Sequence, residues 1–283
     1  MSDIQTALRD RAKALLAEGK VNCFIGWGQT RFPDRTIPKF VVKPEDAAQL
    51  VYNENCLNTL AKYTIEFQFG TEVVGLAARG CEARAINRLI ADKRLSRNKV
   101  YIVGIPCEGM KEKGSPAEKC KYCRHRNPVI HDELIGQPVA ELENLPRFEQ
   151  VVEMENKSSE ERYAYWQQQF SKCIRCYACR NVCPACNCME CYTDQYRTGW
   201  QGKQANTVEN AGFGFTRAYH IGDRCIECGE CERVCPMGLT LMKLNRKLVK
   251  DVDALFGSAE TGLTDDASHA LGCYSKEDIE EFM

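Results

Sequence analysis

The sequence predicts an α/β amino-terminal domain, residues 1–145, joined to an α+β carboxy-terminal domain, residues 173–257, organised by cysteine-bound clusters rather than by a large apolar core. Three observations carry this. Residues 1–145 alternate short apolar runs with stretches of helical period. Residues 146–172 form a charged, helical connector. Residues 173–236 then repeat one four-cysteine spacing twice.

The elements follow in chain order. Ile4, Ala7, Leu8, Leu15 and Leu16 recur at helical spacing behind Ser2 or Asp3 as a cap. Val21–Ile25 is a short apolar run ended by Gly26. PEDAAQLVY (44–52) starts a helix, with Pro44 ahead of an acidic first turn. Val73–Ala77 reads as a buried strand, and Gly80 and Cys81 open a helix with Ala83, Ile86, Leu89 and Ile90 on one face. VYIVGIP is the clearest strand, so strand, helix and strand imply a right-handed crossover and a parallel pair. Residues 108–128 are loop-like and basic. Ser158 and Glu161 fit a capping box, and the helix they start runs through Tyr163, Trp166 and Phe170 into Cys173. Leu241, Leu244, Leu248, Val252 and Leu255 form a packing stripe ending near Gly257. Residues 258–283 have few apolar residues and read as a peripheral or partner-bound tail.

Composition narrows the function. A net charge of −1 gives no general nucleic-acid or membrane-surface binder. No stretch approaches the roughly 20 apolar residues of a membrane span. The charged first twenty residues offer no apolar signal segment, so a cytoplasmic location is expected. There, 18 cysteines point to metal or redox work rather than disulfides.

Cys173, Cys176, Cys179 and Cys183-Pro184 form one motif; Cys225, Cys228, Cys231 and Cys235-Pro236 repeat it. Three thiolates two residues apart can wrap one cubane from a single tight loop, while the fourth, fixed by the proline, reaches the other cluster. Cross-ligation predicts Cys173, Cys176, Cys179 and Cys235 on one 4Fe–4S cluster, and Cys225, Cys228, Cys231 and Cys183 on the second. Structural zinc uses paired CxxC units and not this pattern. This half resembles a bacterial-type two-cluster ferredoxin. It departs from compact ones in the long insertion 184–224, which leaves another pairing open as the alternative.

Four more cysteines, Cys81, Cys107, Cys120 and Cys123, lie in the α/β half. Cys81 at a helix start and Cys107 after VYIVGIP could both sit at the C-terminal edge of the sheet, where α/β folds place ligands. GCEARAINRL (80–89), GIPCEGM (104–110) and CKYCRHRNPVIHD (120–132) are similar to the iron–sulfur and flavin beta-subunit family of deazaflavin-reducing hydrogenase and formate dehydrogenase, over roughly residues 20–140. The resemblance implies that Cys81, Cys107, Cys120 and Cys123 ligate a third 4Fe–4S cluster and that a flavin (FAD) could bind nearby. The alternative is that Cys81 and Cys107 are small buried hydrophobes and CKYC a surface coincidence. GWGQTR (26–31) could offer backbone amides and Arg31 to a flavin phosphate, or be only a turn.

Cys186, Cys188 and Cys191 are surplus to both motifs. They could hold an extra cluster, or a zinc with Cys56, His220 or Cys273 as a fourth ligand, or line a loop without metal. Cys23, Cys56 and Cys273 read singly as buried thiols. His125, His131, His220 and His269 read as structural or exposed.

Two or three clusters in one chain make a wire for single electrons. The expected function is an electron-transfer subunit of a multi-subunit anaerobic oxidoreductase. It would link a hydrogenase, formate dehydrogenase or disulfide-reductase-like partner, itself a flavoprotein in some cases, to a low-potential carrier. The alternative is a flavin-containing subunit that splits hydride from a deazaflavin or nicotinamide; a zinc-based scaffold is a third class. The basic loop 111–126 and the tail Lys276–Met283 are candidate docking surfaces.

Overall fold

The structure is a computed structural model, and it describes residues 2–142, 145–257, 260–265 and 270–272. His269, Cys273 and the stretch 276–283 lie outside the described residues.

Helix α1 (Ser2–Ala17) buries Leu8, Ala12 and Leu15, spaced to share one face. It packs beside a sheet whose first strands are β1 (Cys23–Gln29), β2 (Thr36–Val41) and β3 (Leu50–Val51). β1 runs past Gly26, because Trp27 and Gly28 pair with β2 on one side and β3 on the other. That pairing also corrects the helix expected over 44–52. Only Pro44–Gln49 turns, as a single 3-10 segment with proline at its start, and Leu50 and Val51 are drawn into the sheet.

β4 (Val74–Ala78), α2 (Gly80–Ala91) and β5 (Val100–Gly104) follow. β4 and β5 are parallel, Val74 opposite Val100 and Ala78 opposite Gly104. After the hairpin of β6 (Lys111–Glu112) and β7 (Ser115–Pro116) comes the single turn α3 (Glu118–Lys121), and β8 (Glu133–Leu134) extends the sheet. The order is β2-β1-β4-β5-β8, with β1, β4, β5 and β8 parallel. β4 is buried at every residue, as expected of a strand covered on both faces. α2 is buried on more than its apolar face. Glu82, Arg84, Asn87 and Arg88 are also inside, which places polar groups against whatever covers the sheet edge.

In the cysteine-rich part, α4 (Glu149–Glu155) precedes α5 (Ser159–Ser171). The capping box starting α5 is formed. The Ser158 hydroxyl accepts from the Glu161 N–H at 3.2 Å, and Glu161 accepts from the Ser158 N–H at 2.8 Å. Two single turns, α6 (Ala178–Asn181) and α8 (Glu230–Arg233), flank α7 (Thr207–His220), and α9 (Leu241–Phe256) closes the set at Gly257. The apolar core here is small: Phe170, Ala218, Leu239, Leu241, Met242 and Leu244. Gly214 admits the Phe170 ring, which a Cβ at that position would strike. The stripe on α9 holds for Leu241 and Leu244, but Leu255 is 75% exposed.

The two parts interlock. Ile226, between the first two cysteines of the second motif, joins the α/β core. Lys119 and Glu230 form a buried ion pair at 2.8 Å across the junction.

Candidate metal centres

The repeated spacing folds into repeated geometry. In the first motif Arg175 and Tyr177 take positive φ, 51° and 59°; in the second, Glu227 and Gly229 do, 56° and 68°. These are the second and fourth residues after each first cysteine. Tyr177 and Gly229 then each lead into a single helical turn, α6 and α8. A non-glycine residue in this region costs about 1–2 kcal/mol, yet three occupy it here. Backbones alternating this way turn successive N–H groups into an anion-binding concavity. Several N–H groups already point at sulfur: Arg175 to Cys173 Sγ at 3.4 Å, Leu239 to Cys235 Sγ at 3.5 Å and the Asn245 amide to Cys231 Sγ at 3.4 Å.

Cys173, Cys176, Cys179 and Cys235 line one cavity of about 30 Å³. The thiol that joins the first three is the distant Cys235, not the adjacent Cys183. Cys183 is instead buried with Cys225, Cys228 and Cys231. Burial pushes the Cys225 and Cys228 thiols up to about 12, and the nearby Cys183 adds to both shifts. Cys183 acts on Cys231 in the same way. Cys183 also shares a hydrogen bond with Cys186, which holds Cys183 well below and Cys186 well above the ordinary thiol range.

Between these groups lies Arg217 of α7. It is 4% exposed, donates to the Cys179 carbonyl at 3.1 Å, and leaves its Nε without a partner. Burial opposes its charge, but Cys231, Cys183, Cys186 and Cys179 surround it and hold its pKa well above the ordinary value.

Cys81, Cys107, Cys120 and Cys123 line a second cavity, about 60 Å³. Cys81 is the second residue of α2, just past β4, and Cys107 follows β5, so both stand at the C-terminal edge of the parallel strands. CKYC reaches them through the turn α3, where Met110 N–H donates to Cys120 Sγ at 3.4 Å. Gly80 is required at this spot. A Cβ there would strike the His125 carbonyl, so only glycine lets residues 125–127 pass close over α2. Cys228 of the second motif forms part of the same wall.

Several functional neighbours escape sequence reasoning. Arg79 and Glu82 form a fully buried pair at 2.6 Å beside Cys81, for which the Arg79-to-Glu82 capping spacing was the available signal. Glu260, in the expected tail, lines the cavity and binds His125 Nε2 at 2.8 Å and Arg124. Burial works against its carboxylate, but the His125 bond, Arg84 and Arg124 outweigh it and bring it to about 2. Residues 260–262 are thus fixed rather than peripheral. The Arg84 guanidinium donates to the Thr261 carbonyl at 2.7 Å, and Asn87 to that of Gly262 at 3.1 Å. Within the basic loop Lys119 is buried on Glu230, Arg124 meets Glu260 and Lys111 meets Glu54 at 2.7 Å, while Lys111, Lys113 and Lys121 stay exposed.

Cys186, Cys188 and Cys191 line a third, larger cavity of about 430 Å³, with His220. Cys56 is not there. It is buried in the α/β core, where its sulfur accepts the Asn53 N–H at 3.3 Å, and Cys23 is buried in β1. Gly26 and Gly28 serve strand packing rather than a phosphate loop, since a Cβ on Gly26 would strike Leu50 and one on Gly28 would crowd Lys39; Arg31 stacks over Phe32. Among the described residues no cysteine is in a disulfide, and no helix is long and apolar enough to cross a membrane.

Residues 169–239 match the family model of a 4Fe-4S dicluster domain. The chain is 37% identical over 91 residues to the F420-dependent formate dehydrogenase subunit beta of Methanocaldococcus jannaschii, covering 31% of this chain and 23% of that one. It is 54% identical over 39 residues to the F420-dependent formate dehydrogenase 1 subunit beta of Methanococcus maripaludis, covering 13% and 10%. The matches thus span less than a quarter of the length of either relative. Residues 169–239 are thus similar to a 4Fe–4S dicluster domain, and part of the chain is similar to the beta subunits of F420-dependent formate dehydrogenases.

Proposed function

We propose that the chain is an iron–sulfur electron-transfer subunit of a multi-subunit anaerobic oxidoreductase, relaying single electrons through three 4Fe–4S clusters. Cys173, Cys176, Cys179 and Cys235 hold the first, and Cys225, Cys228, Cys231 and Cys183 the second. Cys81, Cys107, Cys120 and Cys123 hold the third. The observation that carries the reading is the adjacency of the three four-cysteine groups. Cys228 stands in the wall of the Cys81 cavity, and Arg217 touches the surroundings of both ferredoxin groups.

The donor sets suit a multi-iron core. Among the described residues no three His, Cys, Asp or Glu side chains gather closely enough for one metal ion. A cubane spreads its thiolates wider than tetrahedral zinc, whose Zn–S bonds are about 2.3 Å. When bound, each cluster takes up and releases one electron at a potential set by net charge and hydrogen bonds to sulfur. The protein supplies those N–H donors and buries Cys183, Cys225 and Cys231. The relatives' names support a catalytic partner of the formate dehydrogenase class; a hydrogenase or heterodisulfide-reductase-like partner has the same need for such a wire.

Iron, acid-labile sulfide and flavin quantitation on anaerobically purified protein tests this. Three clusters predict at least about twelve irons and twelve sulfides per chain. Zinc without iron refutes the relay, and stoichiometric flavin replaces it with hydride splitting.

A further inference from the structure

The cavity lined by Cys186, Cys188 and Cys191 belongs to neither ferredoxin group nor to the α/β group. At about 430 Å³ it is far larger than the cavities at the other cysteine sets. Its walls also carry Lys62, Arg94, Arg180, Arg217 and Arg224. Arg180 is paired with Asp194 at 2.9 Å and Arg224 with Asp92 at 3.4 Å. The other three have no carboxylate ion-pair partner among the described residues. The Lys62 ammonium donates to the Cys186 carbonyl. Arg94 and the nine-tenths-buried Arg217 each leave a buried Nε without a hydrogen bond. The surrounding thiols already balance Arg217, but Lys62 and Arg94 bring further positive charge to the same wall, and a cationic wall of this kind favours an anion in the space.

We infer that this cavity holds a further 4Fe–4S cluster, bound by Cys186, Cys188 and Cys191. The inference rests on the reading of the chain as an iron–sulfur protein. The C-x-C-x-x-C spacing brings three thiols to one cavity from a single loop. A cubane bound by three thiolates remains anionic and suits the cationic wall. His220 lines the same cavity and would be the side chain available as a fourth ligand. The Cys186 N–H donates to the Cys183 carbonyl at 3.1 Å, and Arg217 borders both this cavity and that of Cys173, so the cluster would stand at the end of the same relay.

The test compares anaerobically purified full-length protein with the Cys188→Ser/Cys191→Ser double variant, which spares Cys186 and its contact with Cys183. Wild type is expected to carry about sixteen irons and sulfides per chain, and the variant about twelve. Equal iron in the two overturns the inference while leaving the relay reading intact, and loss of one zinc without iron overturns it in favour of a single ion. Wild-type protein with fewer than eight irons overturns the relay reading itself. A second measurement needs no variant. Cys188 is exposed, yet iodoacetamide is expected to leave it and Cys191 unmodified until iron is stripped; prompt labelling of native, iron-loaded protein overturns the inference.

Discussion

Replacing Arg217 by glutamine removes one buried positive charge from between the two ferredoxin groups. Its guanidinium is hydrogen-bonded to the backbone of Cys179, and its electrostatic neighbours include Cys179 of one group and Cys183 and Cys231 of the other. No carboxylate pairs with it among the described residues, so no neighbouring anion other than the cysteine groups offsets the charge. At a separation of roughly 7 Å and an effective dielectric of about 20, a unit charge is worth about 2 kcal/mol. For a one-electron couple that is about 100 mV. Reduction adds negative charge, which Arg217 favours, so Arg217→Gln is expected to lower both potentials by about 100 mV. Arg217→Lys keeps the charge and is expected to restore most of that shift. Potentiometric titration followed by electron paramagnetic resonance reads both clusters in one sample. Burial shields the interaction from added salt, so the shift should persist at high ionic strength. Unchanged potentials in Arg217→Gln, or an equal fall in Arg217→Lys, would refute the placement of this charge between two clusters.

Two further outcomes follow from the junction of the two parts. Cys107→Ser should remove about four irons per chain while the two ferredoxin clusters keep their spectra; loss of all iron together would contradict separate sites. Glu230→Gln leaves Lys119 buried without its carboxylate and should cost about 3–5 kcal/mol of stability, read by chemical denaturation under anaerobic conditions. Burial opposes the Glu230 carboxylate, but Lys119 and Arg233 bring it from 4.5 to about 2. A depressed carboxylate stabilises the fold fully above its ordinary value and loses that contribution as pH falls. About 3 kcal/mol of the difference between wild type and Glu230→Gln should therefore fade between about pH 4.5 and 2. A difference independent of pH would show that the lost contact is not ionic.

What the sequence made legible was whatever repeats or alternates locally. The β4–α2–β5 unit and the capping box at Ser158 and Glu161 are written in short windows, and the structure forms both. The bringing together of Cys235 with the Cys173 group followed from a spacing rule, because a tight loop leaves its fourth thiol no route back. What was illegible depends on long-range contact. PEDAAQLVY has good helix-start chemistry, but Leu50 and Val51 gain more by pairing with β1. Lys119 reads as one more surface lysine until Glu230, more than a hundred residues away, meets it in the interior. Glu260 lies in a segment of low apolar content, and nothing local marks it as a wall of the Cys81 cavity.

The unequal cores of the two parts make a last prediction about metal and folding. The α/β sheet is held by many fully buried side chains, among them Phe24, Ile25, Trp27, Leu76, Ile86 and Ile102. Such a core folds without help, since each fully buried large apolar side chain contributes about 1.5–3 kcal/mol. The cysteine-rich part has a far smaller cluster around Phe170 and Leu244, and it also holds three non-glycine residues in the left-handed region. Each of those costs about 1–2 kcal/mol, which an anion in the N–H concavity offsets and an empty loop does not. In such a domain the free energy of cluster binding is free energy of folding. Stripping iron with a chelator under reducing conditions should therefore open residues 173–240 to protease and hydrogen exchange, while β1, β4 and β5 stay protected. If the stripped chain protects residues 173–240 as well as the loaded one, the clusters are guests in a preformed scaffold and not the element that organises it.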